Sequence, residues 1–406
     1  MQINFREEAE KIEAEIIENY EYLHRHPELS GQEINTQRRI LERLEAWKVE
    51  AYPCAQTGVC AMIRGQKDGH TIALRADMDA LPVKEDTGLP YQSEAEGIMH
   101  ACGHDAHMSI LLGTIHIMKQ YEDRIQGNLV FLFQPSEERN GGAERMIREG
   151  VLEDPPVEFA VAFHVWCQKA HTISCIPGPV MAQPDGFRID VVGKGGHGAA
   201  PHRGRNPVSA LASLVTAAER IPSMTVNPLK SAVVDVCHIH CGERYNLTAD
   251  SGFIEGTVRT YDKDTRDGIL RELKRIAQYI PSAYGMKGSF SMNSGYPATV
   301  NDSGLARRTA EILKEKMQHT RILTQGEPSM LGEDFSCFGQ KVPILFLRLG
   351  CQPEEQEKQY SLHHPRFQID ESVLIDGTEA FCTLAYEFLR GGDCFEDHCD
   401  AVPCDM

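Results

Sequence analysis

The sequence predicts an α/β protein, a mostly parallel sheet with flanking helices, into which a smaller ferredoxin-like α+β domain is inserted. Three observations point there. Apolar runs of strand length at 71–74, 128–133, 159–163 and 343–349 are nearly continuous, as in strands buried on both faces. Helical stretches lie between them, notably 108–121 and 303–318, which is the βαβ alternation of a parallel sheet. From Gly186 the order changes to strand (FRIDVVG), helix (207–220), strands (SAVVDVCHIH, GFIEGTVRTY), helix (263–280) and strand (GSFSMNSGY), a split βαβ unit that can stand alone.

The chain opens with two stretches of helical periodicity, 5–24 and 34–48, punctuated by Pro27 and Gly31 in the connection HRHPELSGQE. A length of 406 residues suggests two or three domains. The expected boundaries are 1–183 and 297–390 for the two halves of the main domain, 184–296 for the insert, and 391–406 for a mobile tail carrying Cys394, Cys399 and Cys404. Composition is that of a globular protein, 41% hydrophobic and 25% charged, so a sizeable core can be buried.

A formal charge of −18 without a Lys/Arg run argues against nucleic-acid and membrane partners. The N-terminus is charged and amphipathic rather than a basic-then-apolar signal, and no 18 apolar residues run together, so the expected location is cytoplasmic. Thirteen cysteines, an odd number, favour free thiols and metal ligands over a disulfide framework.

Ligands of open parallel sheets bind beyond the carboxyl ends of the strands. Unusual polar residues gather at those ends. The first run leads to Asp77 and Asp79, the second to Glu137 and Glu138, and the third to His164. The segment HACGHDAH, 100–107, precedes a helix expected from Met108, with Cys102 and His104 two apart and Asp105 as N-cap. A thiolate, imidazoles and carboxylates together form a ligand set for a borderline-soft divalent cation such as zinc, with manganese, cobalt or nickel also accepted. Any one of these residues alone is more often a cap, a core thiol or a satisfied histidine; their joint occurrence at strand ends raises the metal reading. Glu137 and Glu138, being adjacent, suggest a division of labour in which one carboxylate binds metal and the other takes a proton from an activated water. A solvated acidic loop would look the same in isolation.

The blocks HRHPELSGQE, LRADMDALP, HACGHDAH, QPSEE, AFHVW, GKGGHGAAPH, GTVRTYD, GEDFSCF and LHHPRF resemble, in that order, the hippurate hydrolase and aminoacylase-like branch of the dinuclear metallopeptidase (amidohydrolase) family. That branch includes N-acyl-L-amino acid amidohydrolases, auxin-conjugate hydrolases and N-acetyldiaminopimelate deacetylases, and the resemblance spans about residues 12–388. It implies a catalytic domain that holds two divalent metal ions per subunit, zinc or manganese, through Cys102, His104, Glu138, His164 and His363, with Cys102 bridging. His363 is taken as the ligand because it is the first histidine of LHHP. The resemblance further implies Glu137 as general base and either Asp77 or Asp79 as the acidic partner that orients the site.

The insert would be a dimerisation domain, giving a homodimer or a higher homo-oligomer. His197, on a loop made flexible by Gly193, Gly195 and Gly196, would reach the partner subunit's site and stabilise the oxyanion. Asn246 and Arg259 would hold the free carboxylate of the substrate; here Asn246 is followed by Leu247, Thr248 and Ala249 where relatives carry Val-Ile-Pro. The implied reaction is hydrolysis of N-acyl amino acids to a carboxylate and a free amino acid. The alternatives are a dipeptidase or carboxypeptidase on the same site, or a catalytically silent metal-binding protein.

Overall fold

The four continuous apolar runs lie side by side at the centre of an eight-stranded sheet. They are β1 (Lys67–Asp77), β2 (Gln126–Gln134), β3 (Phe159–Lys169) and β4 (Ile344–Gln352), in the spatial order β2-β1-β3-β4, each parallel to its neighbour. The computed structural model describes residues 3–139 and 141–390; the cysteine-bearing tail at 391–406 lies outside them. The margins of the sheet depart from the parallel pattern. Glu50–Cys54 and Gly58–Arg64 form a hairpin that joins β2 antiparallel, with Pro53 on the outer strand where a missing N–H costs no ladder bond. On the other margin Thr172–Ser174 runs antiparallel to β4 and parallel to Arg321–Leu323.

Chain order makes the central crevice. From β1 the chain steps to β2 on one side, then crosses to β3 on the other, so the connections leaving β1 and β3 diverge at their carboxyl ends. Arg75 pairs with Ala162 in the β1–β3 register, and two residues further on Asp77 and His164 stand level at the rim.

Four of the helices around this sheet are α1 (Glu13–Arg25), α2 (Ile34–Ala46), α3 (His104–Gln120) and α4 (Val373–Leu389). The single helix expected at 5–24 is two, Phe5–Lys11 and α1, because Ile12 leaves helical geometry at φ −112°. Helix α3 packs between α1 and α4 against the sheet and is buried almost all round, so its apolar residues fill every face instead of one stripe. It begins at His104, four residues before the expected start. Its N-cap is Gly103, not Asp105, and Asp105 sits inside the first turn, where the free N–H groups favour its negative charge.

Asp105 also fastens α3 to the end of α1. His24 Nδ1 lies 2.6 Å from Asp105 Oδ2, and its Nε2 lies 3.2 Å from Glu85 Oε1, with all three side chains buried. Glu85 in turn accepts the Ser93 N–H at 2.6 Å, which ties the 85–93 segment to the same point.

The described residues divide into two compact units: one takes those up to Gly178, Val300–Glu327 and 334–390, and the other is Pro179–Thr299 with Pro328–Glu333, wider than the 184–296 expected. The second unit holds an antiparallel sheet in the order Ala232–Cys241, Ser251–Thr260, Gln183–Val192, Lys287–Asn293. Helices Pro207–Glu219 and Lys263–Ala283 pack on it, giving the ferredoxin-like arrangement, with Ile189, Leu211, Leu214, Ile254, Val258, Ile269 and Leu273 in its core. Among the described residues every cysteine is a free thiol, and no helix is long and apolar enough to cross a membrane.

The buried His24 pair links stability to pH. Burial opposes its charge, but Asp105 and Glu85 raise the ring from its usual 6.5 to about 9. A raised folded-state pKa contributes stability that is full below the unfolded value and disappears as pH climbs through the folded one. The melting temperature should therefore fall between pH 6.5 and 9. Thermal denaturation of His24→Gln should show a loss on the order of 2–3 kcal/mol at neutral pH and a flattened decline over that window; an unchanged slope would remove His24 as its source.

Candidate metal centre

Each strand end delivers its polar residues to one place. Strand β1 ends ArgAlaAsp, and the fully buried Arg75 turns back along the sheet rim to donate from Nη1 to Asp77 Oδ2 at 2.6 Å, from Nε to Gln134 Oε1 at 2.9 Å, and from Nη2 to Asp334 Oδ1 at 3.2 Å. The other oxygen of Asp77 lies 2.5 Å from His107 Nδ1, and His107 Nε2 accepts the Val165 N–H at 2.7 Å. That acceptance fixes the tautomer of His107 and commits both of its nitrogens, so the ring holds β3 next to His164 and has none to offer a cation.

Cys102 and His104 reach the same spot because Gly103 separates them. Gly103 is left-handed at φ 81°, and a Cβ there would lie 2.3 Å from Val165 Cγ2, so both conformation and space require glycine. Cys102 Sγ then lies 3.5 Å from His164 Nε2 and 3.3 Å from His363 Nε2. The His363 loop is held there by its own backbone, whose N–H donates to Ala101 O at 2.7 Å, and His363 adopts φ 66°, unusual for a side-chain-bearing residue. The His164 ring has its Nδ1 2.6 Å from Val165 O, which places the proton on Nδ1 and turns the Nε2 lone pair towards Cys102.

The loop after β2 brings the two glutamates. Asp79 accepts the Glu137 N–H at Oδ1 and the Glu138 N–H at Oδ2, both at 3.0 Å, and Ser30 donates to Oδ2 at 2.6 Å. With its backbone so held, Glu138 presents Oε1 3.2 Å from His363 Nε2 and 4.0 Å from His104 Nε2. His104 Nδ1 faces Asp79 Oδ1 at 3.4 Å, and its Nε2 faces Asp77 Oδ2 at 3.7 Å.

Those longer separations identify the chemistry. Both ring nitrogens of His104 and Oε1 of Glu138 are buried without a hydrogen-bond partner, an arrangement that is costly unless a cation is shared between them. Cys102 with His104 and His164, Cys102 with Glu138 and His363, and His104 with Glu137 and Glu138 each offer donor atoms within 4.8 Å of one another. Sulfur, imidazole nitrogen and carboxylate oxygen at this spacing fit divalent zinc-like cations, and overlapping sets that share Cys102, His104 and Glu138 fit two of them.

The electrostatics carry the same demand for positive charge. Burial opposes ionisation of Asp77, yet Arg75, His104 and His107 hold it well below the usual carboxylate range; Asp79 is likewise lowered against burial by His104 and Ser30. Burial works against a charged His104, but Asp77 and Asp79 lift it to about 10. Burial, with Glu138, Glu137 and Asp77 close by, pushes the Cys102 thiol well up. A bound cation would replace the His104 proton and reverse the Cys102 shift, since a thiolate is the ligand form.

Asp77, Asp79, Cys102, His104, Glu137, Glu138, His164 and His363 are thus brought together. Both Asp77 and Asp79 face His104, but their positions differ in kind: Asp79 holds the glutamate loop, whereas Asp77 is engaged by Arg75 and His107. Arg75 and Asp334 are not among the site residues expected from the sequence, whereas His107 is expected there only as a residue behind the ligands or at the helix start. An arginine inside an otherwise apolar strand was the available signal for Arg75; nothing local marks Asp334, which is 259 positions away from its partner.

The remaining three candidates lie in the inserted unit. His197 is exposed on a two-residue strand, Gly196–His197, paired antiparallel with Leu247–Thr248. Gly198 donates to the Asn246 backbone oxygen at 2.9 Å, so Asn246 and His197 share one small ladder, which restrains the backbone just before Ala249. Arg259 stands apart, on Ser251–Thr260, donating to Thr257 Oγ1 at 3.0 Å.

Comparison with known proteins places this arrangement. Residues 73–387 match the model of peptidase family M20/M25/M40. The chain is 38% identical over 369 residues to N-acetyl-L-cysteine deacetylase of Bacillus subtilis (strain 168), covering 90% of this chain and 86% of that protein. It is 36% identical over 389 residues to thermostable carboxypeptidase 1 of Saccharolobus solfataricus, covering 94% and 98%. A solved Bacillus subtilis structure, described as a dinuclear metal binding peptidase from the M20 family, superposes with a TM-score of 0.83 at 32% identity over 94% of this chain and 99% of that one. The likeness in sequence and fold runs over nearly the whole length, and the chain belongs to peptidase family M20/M25/M40.

Proposed function

We propose that this protein is a metal-dependent amidohydrolase that cleaves N-acyl amino acids to a carboxylate and a free amino acid. The observation that carries the reading is the placement of Glu137 beside Glu138 on a loop clamped at the rim of the buried donor cluster. When bound, two divalent cations would polarise the acyl carbonyl and make water acidic enough to lose a proton near neutrality. Cys102, His104, Glu138, His164 and His363 would hold them; zinc or manganese suits the mixed donors, and cobalt or nickel would be accepted.

Glu137 takes a proton from the attacking water as the new C–O bond forms, then delivers it to the nitrogen as the C–N bond breaks. Asp79 is the acidic partner, since it alone of the two aspartates fixes the backbone of both glutamates while facing His104. His197 from a second copy donates to the developing oxyanion, and Asn246 and Arg259 receive the substrate's free carboxylate. Exposure of His197 supports that use, as do the exposed Val208 and Ile239 of the inserted unit, which suit a homodimer contact. A cytoplasmic location accords with the free thiols. Likeness to the thermostable carboxypeptidase favours a second reading, release of a C-terminal residue from a peptide by the same chemistry.

Three measurements check the assignment. Glu137→Gln should lower turnover about a hundred- to ten-thousand-fold while both metal ions stay bound; near wild-type turnover sinks the base assignment. Cys102→Ala should lose metal on elemental analysis, and retention of both ions would remove Cys102 from the ligand set. Metal-stripped protein reconstituted separately with zinc, manganese, cobalt and nickel should cleave acetyl, benzoyl or indole-acetyl amino acids faster than dipeptides and longer peptides, and the reverse order selects the peptidase reading.

A further inference from the structure

The connection between α1 and α2, HRHPELSGQE, has no role in the reaction as drawn, yet one of its side chains ends on Asp79 and another on the glutamate loop itself. Ser30 donates to Asp79 Oδ2, and Glu33, fully buried, accepts the Ser136 N–H at Oε1 over 2.8 Å. The second oxygen of Glu33 accepts from Thr57 Oγ1 at 2.6 Å, so the carboxylate is locked from behind by the hairpin turn. Three successive peptide N–H groups, those of Ser136, Glu137 and Glu138, therefore point into two buried carboxylates, Glu33 and Asp79.

Such a turn needs unusual geometry. Ser136 is left-handed at φ 58°, a conformation costing about 1 kcal/mol or more for a residue with a side chain and kept only where neighbours impose it. The base of the loop is pinched as well: Asp334 accepts from the Gln134 side chain at 2.6 Å and from the Ala143 N–H at 3.0 Å, and a Cβ on Gly142 would fall 1.8 Å from Pro135 O. Asp79 alone would fix the Glu137 and Glu138 peptides but not the direction in which the chain enters them. Glu33 holds the residue that sets this direction.

We infer that Glu33 is a positioning residue for Glu137: by accepting the Ser136 N–H it holds the left-handed turn that aims the base. The inference rests on the proposed hydrolytic reading. A near-attack arrangement is sensitive to displacements of about 1 Å, which can cost a hundredfold in rate without altering the ligands themselves. Removing the acceptor should therefore appear in kcat, not in substrate affinity or metal content.

The experiment compares wild type, Glu33→Ala, Glu33→Gln, Glu137→Gln and the Glu33→Ala/Glu137→Gln pair in the full-length, metal-loaded protein. Glu33→Ala should lower kcat about thirty- to a hundredfold, with KM, two-ion content and circular dichroism retained. Glu33→Gln keeps an oxygen acceptor for Ser136 and should recover kcat to within about threefold. In the Glu137→Gln background the Glu33→Ala change should add almost nothing to the loss, because residues acting through one group are not additive. A merely structural role would lower stability and metal content together and would add in the double variant.

Unchanged kcat in Glu33→Ala overturns the inference, as does loss of metal in proportion to activity. If Glu33→Ala fails to fold, Thr57→Val tests the same link by freeing the back of the carboxylate: a three- to tenfold fall in kcat at constant KM supports the inference, and wild-type kcat overturns it. Inactivity of wild type on every amide, or full activity of Glu137→Gln, marks failure of the hydrolytic reading instead.

Discussion

The carboxylate of Asp79 is the point on which the site depends. It accepts the peptide N–H groups of Glu137 and Glu138 and the hydroxyl of Ser30, and it faces His104. One side chain at the end of β1 thereby joins the loop after β2, the helix connection before α2 and the start of α3. A neutral amide in its place would accept fewer of these donors and would carry no charge towards His104. The demand is geometric and electrostatic together.

Around that point the protein concentrates buried negative charge and then answers it in stages. Arg75 neutralises Asp77 and Asp334 from below, in the plane of the sheet. Peptide N–H groups answer Asp79. What the chain answers only through ion-pair contacts is the upper rim, where the His104 nitrogens and Glu138 Oε1 lack hydrogen-bond partners. A structure that satisfies its lower carboxylates so completely, and leaves neighbouring donors unsatisfied a few ångströms higher, is built for cations at the higher level. The local strain has the same address: Ser136 and His363, both side-chain-bearing residues at positive φ, flank the donors in the two loops that close over them.

Metal ligands and their supports were unequally legible. Cys102, His104, Glu138, His164 and His363 belong to short motifs whose residue types announce metal chemistry even before a family is named for them. Arg75 and Asp334 do not: an arginine in a strand or an aspartate far along the chain is ordinary until its partner is known. The helix start was misplaced at Met108 because Asp105 looks like a cap, whereas the cap is Gly103, chosen for its left-handed backbone and for the Val165 side chain against it. The break at Ile12 and the antiparallel margins of the sheet escaped for a related reason, since both are set by packing against distant elements and not by local periodicity.

By itself the sequence determined the fold class, the inserted unit and the chemical kind of the site, because burial on two faces, 3.6-residue periodicity and ligand-type side chains are written in local pattern. Only the tertiary structure decided which of Asp77 and Asp79 holds the glutamates, that His107 spends both its nitrogens on Asp77 and Val165, and that Glu33 stands behind Ser136. Those relations join residues tens to hundreds of positions apart. Hydrogen bonds of that span depend on sheet register and crossover order, and no local preference encodes either.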